Sequence, residues 1–340
     1  MMVGGQALIE GVMMRSPHGV AMAVRRPDGS IVVRSQPYLP ITARHKWLGL
    51  PVIRGAVTLI EMLLLGFRAL EFSAVESTYD PQKTESHEGT SGNSSQPSKK
   101  EFIFSLLMGF GLAVVLFIVL PNLATHFSSL LVGSSRGALL EEKSPILYNI
   151  ISGVIRILIF VLYVVLISRL PEVRRMFQYH GSEHKTVSAY EAGLPLTVEN
   201  ARQFSTFHPR CGTTFIAIVL IVAVIVFAVF ARFLTAIWPG FAELSFPARK
   251  AILILGHILL MPVVAGVCFE LLRLGGRFPQ NPLMKVFLAP GYWFQRLTTA
   301  EPDDSMLEVA ICALEHALAV AEEERTVVVP SALEALEATG

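Results

Sequence analysis

His180-Gly-Ser-Glu-His184 and His208-Pro-Arg-Cys211 bring three imidazoles, a thiol and a carboxylate into one short stretch of chain. These are side chains that bind transition metals. Neutral imidazole nitrogens with a thiolate favour Zn²⁺, with Fe²⁺ the alternative. Four residues apart on a helix, His180 and His184 share a face and can grip one ion. Glu183 lies at the edge of that face, and His-x-x-Glu-His is the spelling of the inverted zinc peptidases, whose glutamate is the general base. Gly181 costs such a helix about 1 kcal/mol of propensity. The plain alternative is a set of surface histidines in a basic loop beside an incidental cysteine.

Downstream, Thr197 is predicted to cap a short helix running to about Phe207, which Pro209 cannot continue. His208 and Cys211 then flank a sharp turn, a common way to present two ligands together. Glu191 projects on nearly the same face as His184, but about 10 Å further along the helix. It is therefore a candidate for a second ion, a substrate group or the outer shell of the site, and Gly193 is predicted to end the helix. Ligand count separates the two readings of this set. Four ligands, His180, His184, His208 and Cys211, close a tetrahedron and make a structural zinc site. Three leave a water that Glu183 can deprotonate, which gives metal-assisted hydrolysis. The spare carboxylates tilt the reading toward a zinc-dependent hydrolase. The alternative is a non-catalytic membrane scaffold or regulator stapled by structural zinc.

The 340 residues that must position this set are 52% hydrophobic and 16% charged, the balance of a multi-pass membrane protein. Four stretches approach the roughly 20 apolar residues a spanning helix needs: Phe102 to Leu120, Ile146 to Ile167, Thr214 to Trp238 and Ala251 to Leu272. Gly55 to Phe67, flanked by Arg54 and Arg68, is shorter and suits an interfacial or re-entrant helix. Eleven of the 28 Lys/Arg fall in residues 1–101 and six in 169–213, against two each in 121–145 and 238–250. The positive-inside rule therefore predicts a plasma-membrane (inner-membrane) protein with both termini and the His/Cys loop in the cytoplasm. A reducing compartment keeps Cys211 available as a ligand. A formal charge of +1 excludes a strongly basic nucleic-acid binder, and the start of the sequence predicts no cleaved signal peptide. The bilayer and a peptide or lipid-linked substrate are the expected partners, with a homo-oligomer possible if four helices do not close a cavity.

The expected architecture is a mainly α, membrane-spanning helical bundle of about four helices with a cytoplasmic N-terminal region, residues 1–76. In that region Val20, Met22 and Val24 alternate with small residues, Arg26-Pro-Asp-Gly-Ser30 makes a turn, and Ile31-Val-Val33 resumes, the pattern of a β-hairpin. Residues 77–100 are predicted to be a flexible linker. The remaining divisions are the first transmembrane pair, 101–168; the metal loop, 169–213; the second pair, 214–272; and a cytoplasmic C-terminal region, 273–340. Within the last, Ser305 and Glu308 form a capping-box pattern ahead of an amphipathic helix lined by Leu307, Ile311, Leu314 and Leu318.

Blocks along the chain resemble one family. Gly4-Gly-Gln-Ala-Leu-Ile-Glu-Gly-Val-Met-Met-Arg15, Tyr179-His-Gly-Ser-Glu-His-Lys185, Arg210-Cys-Gly-Thr-Thr-Phe215 and Leu297-Thr-Thr-Ala-Glu-Pro-Asp303 are similar to segments of the YqhQ-like bacterial membrane proteins, a family of unknown function. The resemblance implies a metal-dependent enzyme with its site at His180, His184, His208 and Cys211. It supplies no reaction. A basic residue is expected in place of Ala300. The resemblance also raises Glu10, in a Gly-rich segment able to fold over the metal loop as an extra ligand or base.

Overall fold

Apolar residues at nearly every position of Gly19–Arg25 and Ile31–Val33 leave these strands no polar face, so both sides must be covered. In the computed structural model, which describes residues 3–79, 99–131, 145–241, 243–278, 280–319 and 325–329, they are the centre of a five-stranded antiparallel meander. Its strands are β1 (Gly4–Leu8), β2 (Gly11–Arg15), β3 (Gly19–Arg25), β4 (Ile31–Pro37) and β5 (Arg325–Val329), in that spatial order. The expected hairpin is β3–β4, in register Val24↔Val32. The Gly-rich opening segment is a second hairpin, β1–β2, whose first strand lies against the helix that carries Glu183. Its alternation is hidden because Val12, Met13 and Met14 are apolar on both faces.

The two sheet faces carry different helices. Leu8, Met13, Val20, Met22, Val24 and Val32 pack on Leu65, Ala69 and Phe72 of α2 (Ile53–Glu76). This helix follows the short α1 (Ile41–Arg44) and a 3₁₀ turn at Lys46–Gly49. At 24 residues α2 is longer than the predicted short segment, because Leu65, Ala69 and Phe72 extend its buried stripe past Arg68. Arg54 pairs with Glu270 rather than Glu61, whose carboxylate accepts the Ile41 N–H at 3.1 Å. Fifteen buried residues fill the other face, among them Val12, Met14, Ala21, Ile31, Tyr179, Met306 and Leu314.

Downstream, α3 (Lys99–Val114) passes through one π-helical turn, Val115–Val119, into α4 (Leu120–Leu131). Then come α5 (Pro145–Ile167), α6 (Pro171–Glu191), α7 (Val198–Arg202), α8 (Gly212–Ile237), α9 (Phe246–Arg277), α10 (Pro282–Thr298) and α11 (Asp304–Leu318). The N-cap of α11 is Asp303, whose carboxylate accepts the Met306 N–H at 3.0 Å. Ser305 and Glu308 do not form the predicted capping box; Glu308 instead pairs with Arg25 of β3 at 2.6 Å.

Among the described residues, three helices are long and apolar enough to cross a membrane: Asn149–Ile167 within α5, Gly212–Ile237 and Ala251–Arg277. The expected first span lies in α3 and the π-helical turn, where the described residues carry the apolar run Leu107–Phe117. Leu158, Leu162, Ile225, Val229, Phe233, Ile258 and Leu259 are all more than half exposed, a lipid-facing rather than a water-facing surface. Inside the bundle, Ile218, Val264, Cys268 and Leu288 join α8, α9 and α10. Most of the predicted linker, residues 80–98, lies outside the described residues.

Candidate metal centre

Pro171 at the first helical position starts α6, and Gly193, with φ of 71°, ends it. One face of α6, with Tyr179 and Val187, is buried under the sheet. The adjoining face carries His180 and His184. Cys211 is the N-cap of α8, with Sγ accepting from the Thr213 N–H at 3.4 Å and lying 3.0 Å from the Thr213 hydroxyl. The thiol thus sits at the mouth of a membrane-length helix. One ligand atom each from His180, His184 and Cys211 lies within 4.8 Å of the others.

The ring orientations are set by backbone carbonyls. His180 Nδ1 is 2.9 Å from the Thr298 carbonyl oxygen, and Nε2 is 3.2 Å from Cys211 Sγ. His184 Nδ1 meets the Thr206 carbonyl oxygen. A carbonyl can only accept, so both Nδ1 atoms carry a proton, and in the neutral tautomer this fixes, both Nε2 lone pairs turn to the common centre. His184 Nε2 is buried with no hydrogen-bond partner. Glu183 Oε2 stands 3.4 Å from it, near enough for attraction but not aligned for a hydrogen bond.

A buried acceptor without a donor costs about 1–3 kcal/mol, and a cation at that point removes the cost. Two imidazoles and a thiol in contact form a donor set that suits zinc. The residues present therefore fit the ion.

Not every predicted ligand joins them. His208 Nε2 faces Glu191 Oε2 at 3.5 Å, and its ring centre is 5.7 Å from that of His184. Burial lowers the His208 pKa, opposed by the nearby negative charge of Glu183, and the same pair of effects acts on Arg210. Glu191 also forms an ion pair with Arg210, so its carboxylate lies between His208 and Arg210 rather than in the His180–His184–Cys211 cluster. Glu10 is held by Arg175, through Nε at 2.6 Å, and faces the Tyr179 hydroxyl at 3.4 Å. Its carboxylate thus sits over the α6 face next to that of the cluster, and burial raises the Tyr179 pKa.

Several supporting residues carry no motif of their own. Gln295 of α10 is wholly buried; it accepts the His208 N–H at 3.0 Å and donates to the His208 carbonyl at 2.9 Å and the Thr214 hydroxyl at 2.6 Å. Its signal in the sequence is a polar residue within the apolar stripe Leu288, Gly291 and Phe294. Gln295→Leu leaves these groups buried and unpaired, so stability is expected to fall by about 1–3 kcal/mol. A thermal midpoint in detergent equal to wild type would contradict the clamp. Lys185 is buried against the Arg202 carbonyl and paired with Glu301 at 2.6 Å. Ala300 donates its N–H to the Phe177 carbonyl at 2.9 Å, and a Cβ on Gly181 would overlap the Ala300 carbonyl oxygen. The Leu297–Asp303 block is thus a strap across α6, which gives Gly181 its reason.

Residues 50–320 match a family model described as Protein of unknown function (DUF1385). The chain belongs to that family. It is also 33% identical over 319 residues to "Uncharacterized protein YqhQ" of Bacillus subtilis (strain 168), an alignment covering 91% of this chain and 89% of that protein. No solved structure matches the chain. The YqhQ-like resemblance read from the four sequence blocks is therefore correct at the level of family. The matched span, 50–320, includes all three clustered side chains, Glu183, Gln295 and the strap, but begins after β4.

Proposed function

We propose that this protein is a zinc-dependent hydrolase of the plasma membrane, acting at its cytoplasmic face on a peptide or lipid-linked group. The observation that carries the reading is the buried, unpartnered Nε2 of His184 among His180, Cys211 and Glu183. His180, His184 and Cys211 would hold the ion, with iron as the competing occupant. Bound there, it supplies Lewis acidity beside the susceptible bond. Three donors rather than four favour an open site over a structural one, since His208 faces Glu191 instead. Glu183 takes the proton of the attacking water and returns it to the leaving group. For an amide, the C–N bond breaks, a C–O bond forms at the carbonyl carbon, and the proton ends on the amine.

Packing supports a four-span arrangement. The α6 helix begins just after α5 ends, and it packs under the N-terminal sheet. Strand β4 and α6 therefore lie on one side of the bilayer, so the chain between them crosses an even number of times. With α5 as one crossing, α3–α4 supplies the other, which gives four spans. The excess of Lys/Arg in residues 1–101 and 169–213 supports a cytoplasmic location for that side. Ile53, Ile60, Leu63, Leu64 and Phe67 of α2 are exposed, and their face lies against the inner leaflet.

Turnover of a mixed-sequence peptide pool by the purified full chain tests the reading. Dialysis against a chelator is expected to abolish it and one equivalent of zinc to restore it. Hydrolysis indifferent to metal removal would contradict the proposal.

A further inference from the structure

We propose that the free edge of β1 binds the substrate as an extended polypeptide, added to the sheet as a sixth strand beside Glu183. The inference rests on the hydrolase reading and names its substrate class.

Strand β1 is the end of the sheet, and among the described residues no strand pairs with its outer side. The direction of each backbone group follows from the register. Arg25 N–H donates to the Glu10 carbonyl at 2.8 Å, so Glu10 faces β3. Backbone groups alternate along an antiparallel strand. Val12 and Met14 therefore also face β3, while Gly11, Met13 and Arg15 face β1, where they pair with Leu8, Gln6 and Gly4. That leaves the N–H and C=O groups of Gly5 and Ala7 pointing away from the sheet, and no hydrogen bond among the described residues occupies them. Two residues at alternate positions, each offering a donor and an acceptor, match the spacing of a docked strand.

An exposed edge is a hazard that folds normally blunt with charge, proline or a bulge. Gly4-Gly-Gln-Ala-Leu8 has none of these.

The edge also lies where the chemistry is. A Cβ on Gly5 would stand 2.9 Å from Glu183 Cγ, so at this point β1 touches the side chain proposed as base. At the other end, Glu10 is held over α6 by Arg175 and Tyr179. The edge therefore runs along α6 from Glu183 back toward Arg175, and a strand laid against it passes Glu183. Backbone pairing reads no side-chain sequence, so the edge suits many polypeptides, and the nearby end of α8 favours segments close to the membrane.

The test uses the zinc-loaded full chain in detergent, carrying Glu183→Gln to stop turnover. The probe is a biotinylated mixed-sequence peptide pool bearing a benzoylphenylalanine photocrosslinker. Labelling is expected in the tryptic fragment ending at Arg15. Ala7→Pro removes an N–H that the β1–β2 ladder does not use, so the hairpin stays paired while an edge donor is lost. It is expected to cut labelling about tenfold at unchanged zinc content. A pool with alternate N-methylated amides makes the same test on unaltered β1 and is expected to lose labelling to a similar degree. Absence of label from the fragment ending at Arg15, or equal labelling by the methylated pool, would overturn the proposal. So would chains that cross-link to one another through β1 while the pool leaves it unlabelled. Zinc-dependent turnover by wild type alongside any of these outcomes would leave the hydrolase standing without this substrate seat.

Discussion

Glu183→Gln is expected to lower hydrolysis of the peptide pool by about 10²–10⁴-fold, the usual contribution of a positioned general base, with zinc content unchanged. The substitution keeps the shape of a buried side chain packed beneath β1. It removes the proton acceptor 3.4 Å from His184 Nε2 but none of the three clustered donors. Turnover and zinc content measured on the same preparation separate the possibilities. Loss of both would make Glu183 a ligand or a folding residue, and retention of both would remove it from the mechanism. A structural zinc in a scaffold protein predicts the opposite pattern: Glu183→Gln has little effect, while a chelator unfolds the loop.

Gly181→Ala is expected to destabilise the protein and weaken zinc binding, although the same change at an ordinary helical site gains about 1 kcal/mol. The new methyl group would overlap the Ala300 carbonyl oxygen and crowd Thr206 Cγ2 at 3.2 Å. Relief requires the strap to move away from α6. That movement breaks the Ala300-to-Phe177 hydrogen bond and draws the Thr298 carbonyl from His180 Nδ1. Overpacking of this kind costs about 1–3 kcal/mol, and loss of a group that orients a metal-binding histidine weakens metal affinity about 10–100-fold. Thermal unfolding in detergent and zinc competition measure the two effects. A rise in midpoint with unchanged affinity would show that the strap does not hold His180.

The part of this site written in local sequence is the His180–His184–Cys211 cluster. His180 and His184 are four residues apart on a real helix, Cys211 follows the Pro209 turn, and Gly193 ends α6, all from spacing and turn chemistry. The separation of His208 from the cluster was not legible, because it depends on Glu191 and Gln295, 17 and 87 residues away. The position of Glu191 against His208 and Arg210, on a turn in another segment, is tertiary. Glu10 shows the same limit: its pairing with Arg175, 165 residues distant, is invisible to periodicity. The β3–β4 hairpin was readable from alternation and a Pro-Asp-Gly turn. Strands β1 and β2 were not, since burial on both faces erases alternation. The three membrane-length helices follow from apolar length, whereas the π turn at Val115–Val119 is not written in apolar length; Pro121, which has no N–H for the Phe117 carbonyl, lies just beyond it.

Metal content bears most directly on the whole account. Elemental analysis of detergent-purified protein, prepared without chelator, is expected to find about one equivalent of zinc or iron in wild type. His184→Ala and Cys211→Ala are expected to lose it and His208→Ala to retain it. Metal-free wild type, or equal loss in His208→Ala, would contradict an open three-donor site and leave a structural zinc or no metal at all.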